Sequence, residues 1–239
     1  MKFSRLTLCF LTSHFISSTV FAAEPLTAVP PAFSVSGLEG WKTERFSGQT
    51  LYRIVSAGDQ EVLFARTNLS ASGIGWEGEV NLQETPFLHW CWRISNTYSG
   101  VDETTKAGDD YPARVYTVAK TGRLPWQVQA LNYVWASEQA QGTDWPNAFT
   151  QRAHLVALQS GDQLKNQWIA ESRNLAQDFL RYFDNPNPRV IALALMSDSD
   201  NAGGEAKAWY SDLILSATAD HSGCPTNDPD NSDAMTGRP

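Results

Sequence analysis

Histidine, cysteine and methionine are scarce in this chain, at four, three and three residues, and most of what is missing is the equipment of metal and nucleophile chemistry. His89, His154 and His221 fall in no zinc-ligand spacing. There is no Gly-x-Ser-x-Gly elbow, no Cys/His arrangement, no Gly-rich phosphate loop, no internal repeat and no Gly/Ser linker. Cations are short as well: 18 Lys and Arg stand against 26 Asp and Glu, a net charge of −8. That balance argues against nucleic acid or anionic lipid as partners, because both need a cationic footprint. A neutral sugar or a cation suits it better.

No apolar run is long enough to span a bilayer, which takes about 20 residues. The run from Leu6 to Phe21 is broken by Thr12, Ser13, His14, Ser17, Ser18 and Thr19. With Lys2 and Arg5 before it and Ala22 and Ala23 after it, the segment has the form of a secretory signal peptide, residues 1–22, cleaved near Ala22. Cleavage leaves 217 residues with 16 cations and 26 anions, a net of −10. The expectation is a periplasmic or secreted protein with no transmembrane segment in the mature chain. Only Cys91 and Cys224 remain, and an oxidising compartment permits a bridge between them. Nothing in the sequence brings Cys224 within the roughly 7 Å between Cα atoms that a disulfide requires. Unbridged, Cys91 reads as a small buried apolar residue.

What is present is strand signal: short β-branched and aromatic runs bounded by Gly, Pro, Asn and Asp. The candidates are Thr50 to Val55, Glu61 to Thr67, Gly73 to Asn81, Phe87 to Ser95, Tyr111 to Lys120, Ala130 to Ser137, Arg152 to Ser160, Arg189 to Ser197 and Lys207 to Ser216. Without interleaved helices they predict an all-β, two-sheet β-sandwich or jelly roll over 23–216. One helix is expected at about 172–183, where Leu175, Phe179, Tyr182 and Phe183 recur at helical spacing behind Ser172 as cap. Residues 217–239, polar and nearly free of apolar side chains, predict a disordered tail.

Alternation sorts side chains by face. Leu88, Trp90, Trp92 and Ile94 share an apolar face, opposite His89, Cys91 and Arg93. Tyr111, Ala113, Val115 and Thr117 point inward, leaving Asp110, Arg114 and Tyr116 outward. Arg189 to Ser197 is apolar on both faces, as a central strand should be. If the carrying strands are neighbours, His89, Arg93, Asp110, Arg114 and Tyr116 form one polar patch. Lys106, Asp109 and Asp110 end a loop that enters the strand of Arg114, either as a salt-bridged anchor or as a carboxylate pair for acid/base work. Arg173 and Asn174, with Asp178 at helical spacing, either face a ligand or pin the helix. The loop from Asp198 through Asp200 and Asn201 to Glu205 is oxygen-rich: it fails as an EF-hand, and reads as a hairpin turn or another Ca²⁺ site. Trp90 and Trp92 are core; Trp126 and Trp145, each beside a proline, are the candidate rim of a glycan groove.

Five motifs in order carry a resemblance: Trp90-Cys91-Trp92-Arg93, Lys106 through Tyr116, Arg173-Asn174 with Asp178, Met196 through Asn201, and Ala208 through Asp212. Together, over roughly Phe33 to Leu215, they resemble domain of unknown function 3047, a family of exported bacterial proteins. The resemblance implies a periplasmic setting and supplies no catalytic residues. The closing strand is also similar to the last strand of many carbohydrate-binding jelly rolls, at the level of fold alone. Three functions stand at this point. The first is a non-catalytic binding module for a carbohydrate or other cell-envelope ligand. The second is a glycan hydrolase or lyase using Asp109 or Asp110 with His89, Arg93 or Arg114. The third is a calcium-stabilised envelope scaffold. Binding is favoured because no carboxylate pair is evident at the separation hydrolysis demands, about 5 to 10 Å. Melting checks the calcium expectation: chelation by EDTA lowers the melting temperature if an ion holds Asp198, Asp200 and Asn201, and leaves it unchanged if the loop is a turn.

Overall fold

The computed structural model describes residues 29–124, 126–220, 223–226 and 228–229. The expected signal segment and the end of the tail lie outside the described residues. The strands are β1 (Lys42–Ser47), β2 (Leu51–Ala57), β3 (Gln60–Asn68), β4 (Ala71–Val80), β5 (Phe87–Ile94), β6 (Ala113–Lys120), β7 (Val128–Ala136), β8 (Asp144–Pro146), β9 (Ala153–Ser160), β10 (Ile169–Asn174), β11 (Arg189–Asp198), β12 (Glu205–Tyr210) and β13 (Ile214–Ser216). A seven-stranded sheet runs β1-β4-β11-β6-β7-β9-β8, and a six-stranded sheet runs β10-β5-β12-β3-β2 with β13 added to β5. β7 and β9 pair in parallel, while the central ladders of β11 with β4 and β6 are antiparallel. This is the two-sheet sandwich that the strand pattern predicts, with β11 in the middle of its sheet as its two apolar faces require.

The nine expected strands fall within two residues of observed ends, Lys207 to Ser216 dividing into β12 and β13. The strands that patterning misses, β1, β8 and β10, lack an apolar alternation: β1 is Lys-Thr-Glu-Arg-Phe-Ser and mostly exposed, as an edge strand can be. The helix is corrected too. Besides a single helical turn before β1, α1 (Phe33–Ser36), the helix α2 spans Leu175–Phe183, and its cap is Asn174, whose side chain accepts from the Gln177 N–H at 3.0 Å. Ser172 lies two residues too early, inside the β10 ladder opposite His89 of β5, and its hydroxyl donates to the Ala219 carbonyl at 3.2 Å.

The sheets meet through aromatic side chains. Trp90 of β5 packs on Tyr133 of β7 with ring centroids 5.5 Å apart, and Trp92 packs on Trp135 at 5.9 Å. Leu88, Trp90, Trp92 and Ile94 are all fully buried in this core with Ala113, Val115 and Leu195 from the other sheet. Tyr111 departs from the inward expectation. It precedes β6 and joins a separate cluster with Val134, Trp145 and Leu155.

The opposite face of β5 is not open. Cys91 is bonded to Cys224, with Cα atoms 5.6 Å apart, Arg93 Nη1 pairs with Asp228 Oδ1 at 2.5 Å, and His89 Nε2 lies 2.9 Å from the Thr218 carbonyl. The tail expected to be disordered is therefore fastened along β5 in its described part. A covalent bond and an ion pair do there what apolar burial does elsewhere, so its polar composition was no guide. No helix among the described residues is long and apolar enough to cross a membrane. Because the disulfide closes a separation of 133 residues, its reduction should lower the unfolding free energy by about 2–5 kcal/mol, measured by urea denaturation with and without a thiol reductant.

Candidate functional site

Arg114 is the residue around which the outer face of the seven-stranded sheet is organised. In the ladder Met196 of β11 lies opposite Arg114 of β6, so Asp198, two residues further on, shares its face. The guanidinium meets that carboxylate as a fork: Nε donates to Oδ1 at 3.0 Å and Nη2 donates to Oδ2. Nη2 also donates to the Asp109 carbonyl, Nη1 donates to the Tyr116 hydroxyl at 3.3 Å, and Nη1 stands 3.5 Å from Asp109 Oδ1. The Tyr111 N–H gives Asp198 Oδ1 a further bond of 3.1 Å, and the Tyr111 ring lies under the guanidinium carbon at 4.2 Å. Arg114 is only 3% exposed. A buried charge needs this degree of partnering.

The preceding loop is set by Glu103, whose importance no sequence motif signals. Its carboxylate accepts from three successive backbone N–H groups, of Ser137, Glu138 and Gln139, at 2.7 to 3.1 Å. Its carbonyl accepts from the Tyr111 hydroxyl at 3.2 Å and from Trp145 Nε1 at 3.1 Å. Trp145 is thus a buried strut, which corrects its expected place on a rim; Trp126 is 61% exposed but is not part of the cleft lining. At the loop's end Gly108 packs so closely that a Cβ there would collide with the Asp102 backbone. Asp110, next in line, is a loop anchor: its carboxylate accepts from the backbone N–H of Asn201 at 2.7 Å, from that of Ala202, and from Asn201 Nδ2 at 3.1 Å.

These elements surround a cleft of ≈ 560 Å³. Asp109, Arg114, Tyr116, Asp198, Asp200 and Asn201 line it, as the sequence led one to expect of a site, joined by Asn132 of β7 and by Asn147 and Phe149 of the segment after β8. Phe46 and Phe149 stand at its edge, 68% and 58% exposed, and the Lys106 ammonium lies 5.2 Å from the Phe149 ring centre. Asn147 Nδ2 donates to Asp109 Oδ2 at 3.3 Å. Asn132 is 1% exposed, yet its Nδ2 has no hydrogen-bond partner, and neither has Asp109 Oδ1. A smaller groove of ≈ 290 Å³ shares Phe46, Tyr116 and Met196 with the cleft and continues over Gly73, Gly75 and Ala194.

Four expected site residues lie elsewhere. His89 and Arg93 belong to the other sheet, under the tail. The single patch uniting them with Arg114 does not form, because alternation fixes a residue's face within a strand and says nothing about which sheet the strand joins. Arg173 forks onto Asp178 at 2.9 and 2.6 Å, and Asn174 caps α2, so both pin the helix. Of the calcium candidates, Asp198 and Asp200 converge with Asp110, carboxylate oxygens of these three acids lying within 4.8 Å of one another, and the Asn201 side chain turns its amide nitrogen to Asp110 and Asp200. The crowding tells on their protonation. Burial raises the Asp198 carboxyl to about 7, with Asp110 adding to the rise and Arg114 opposing it. Asp200 is raised by burial and by Asp110.

A family profile described as a protein of unknown function, DUF3047, matches residues 39–214. No curated protein matches the chain. Among solved structures it is similar to a carbohydrate-binding module of the β-sandwich superfamily noted for promiscuous specificity, at 11% identity and a TM-score of 0.41, over 79% of this chain and 60% of that one. It is also similar to a family 30 carbohydrate-binding module of a Clostridium thermocellum cellulosomal cellulase, at 9% identity and 0.37, over 73% and 89%. A third is SGBP-B from a xyloglucan utilization locus of Bacteroides uniformis, at 12% and 0.37, over 79% and 49%. The chain therefore spans less than two thirds of the first of these proteins and about half of the third.

Asp198→Asn should cost about 3–5 kcal/mol of stability, since it leaves Arg114 buried without its principal partner. Urea denaturation of wild type and variant checks this.

Proposed function

We propose a binding function for this chain, which belongs to the DUF3047 family of proteins of unknown function. The ligand is a carbohydrate, held in the cleft on the outer face of the seven-stranded sheet without chemical change. The observation that carries this reading is the pairing of two exposed phenyl rings with a buried polar floor that contains an amide donor without a hydrogen-bond partner, Asn132 Nδ2, beside an acceptor, Asp109 Oδ1, whose charge partner Arg114 stands 3.5 Å away. A buried polar atom without a partner costs about 1–3 kcal/mol, and a ligand that supplies the partner recovers it. A sugar hydroxyl both accepts and donates, while the C–H face of the ring suits an aromatic edge. The cleft is of the size such sites take, about 300–1,000 Å³. Its continuation past Phe46 and Tyr116 over Gly73 and Gly75 suits a ligand of more than one ring in a row.

Export is part of the proposal and rests on the leader pattern at residues 1–22, which sends the protein to the envelope, where such glycans are found. A hydrolytic role is less well supported. Asp110 is occupied with backbone amides, Asp198 with Arg114, and His89 lies in the other sheet.

Calorimetric titration with a panel of neutral, basic and acidic oligosaccharides tests the reading. Saturable binding is expected, tightening with chain length until the groove is filled. Phe149→Ala should weaken it by about 1 kcal/mol, roughly fivefold, and Trp126→Ala should leave it unchanged. Absence of binding across the panel overturns the proposal. So does release of new reducing ends that is lost in Asp109→Asn, which would make the protein an enzyme.

A further inference from the structure

Charge in the cleft is one-sided. Three carboxylates line it, those of Asp109, Asp198 and Asp200, against one cation, Arg114, and Asp110 brings a fourth within 4.8 Å of Asp198 and Asp200. Arg114 is fully engaged: Nε and Nη2 lie on Asp198, Nη2 on the Asp109 carbonyl, and Nη1 between Tyr116 and Asp109. Lys106, the next cation, rests on the outer ring of the edge, at Phe149. Asp200 is exposed at the mouth and receives a bond of 3.4 Å from Asn201 Nδ2. Bringing like charges together in a partly desolvated site is costly, and a positive group placed among them is correspondingly favoured.

The form of that positive group follows from which oxygens remain. Those of Asp198 are held by Arg114 and the Tyr111 amide, and those of Asp110 by the amides at 201 and 202. A calcium ion seeks about six to eight oxygen ligands, which this loop cannot turn toward one point without giving up those bonds. An ammonium needs only a few acceptors. The remaining features, Phe46 and Phe149 at the edge and the unpartnered Asn132 Nδ2 in the floor, ask for a ring bearing hydroxyls.

We propose that the cleft selects a basic glycan, a chain of sugars carrying free primary amines, with an ammonium against Asp200 beside Asp198 and Asp110, and a hydroxyl of the same sugar on Asn132 and Asp109. This deepens the binding reading above and rests on it.

Calorimetric titration at pH 6 with the β-1,4-linked tetramer of glucosamine, its fully N-acetylated form and the glucose tetramer separates the possibilities. The glucosamine tetramer should bind at least about tenfold more tightly than either neutral chain, and the preference should shrink between 20 and 300 mM NaCl as screening sets in. Asp200→Asn, at an exposed position, should remove most of the preference, read as the ratio of the glucosamine tetramer's affinity to that of the neutral chains. Neutral chains binding as tightly as the amine would overturn this inference and leave the carbohydrate reading standing. Silence from all three would overturn both. Tetralysine competing as well as the glucosamine tetramer, or CaCl2 at millimolar concentration displacing it while itself raising the melting temperature, would also overturn the choice of a basic glycan.

Discussion

The bond between Arg114 and Asp198 is the constraint on which the cleft depends. It joins neighbouring strands, β6 and β11, at the point where both run into loops, and it is almost wholly removed from water. Such a pair is a poor source of stability, because the desolvation of two ions offsets most of their attraction, and an apolar pair of like volume can serve the fold as well. Its effect here is positional. By holding the Asp109 carbonyl, the Tyr116 hydroxyl and the start of the 199–204 turn in one arrangement, it keeps several acids closer together than they would settle on their own.

Glu103 and Asp110 support that arrangement from behind, and both do so by the same means, a carboxylate receiving consecutive main-chain N–H groups. Glu103 fixes the loop ahead of β6 against residues 137–139, and Asp110 fixes the turn after β11. Glu103 and Asp110 thus hold loops, Asp198 holds Arg114 while lining the cleft, and Asp109 and Asp200 keep carboxylate oxygens that fasten no consecutive main-chain N–H groups.

Much of this was legible in the sequence. Period-two alternation put Trp90 and Trp92 inside, placed Arg114 and Tyr116 on the outer face of their strand and made β11 central, and all three hold. What alternation could not convey was the sheet to which a strand belongs. His89 and Arg93 have the right parity and the wrong sheet. Edge strands such as β1 carry no burial signal because they bury little. Asn132 and Phe149 were missed since a lone asparagine in an apolar strand and a phenylalanine in a loop look unremarkable until the neighbouring strands are known. Trp145 misled for the opposite reason: its polar, proline-bearing surroundings suggested exposure, while the loop of Glu103, 42 residues upstream in the chain, closes over it.

The fastening of the C-terminal segment across β5 has an orientational consequence. In its described part that segment lies against β5 on the outer surface of the six-stranded sheet, whereas the cleft opens on the far surface of the partner sheet. A support, label or tether joined at Asp228 would therefore sit on the flank opposite the cleft and leave the acid-lined surface facing away from it.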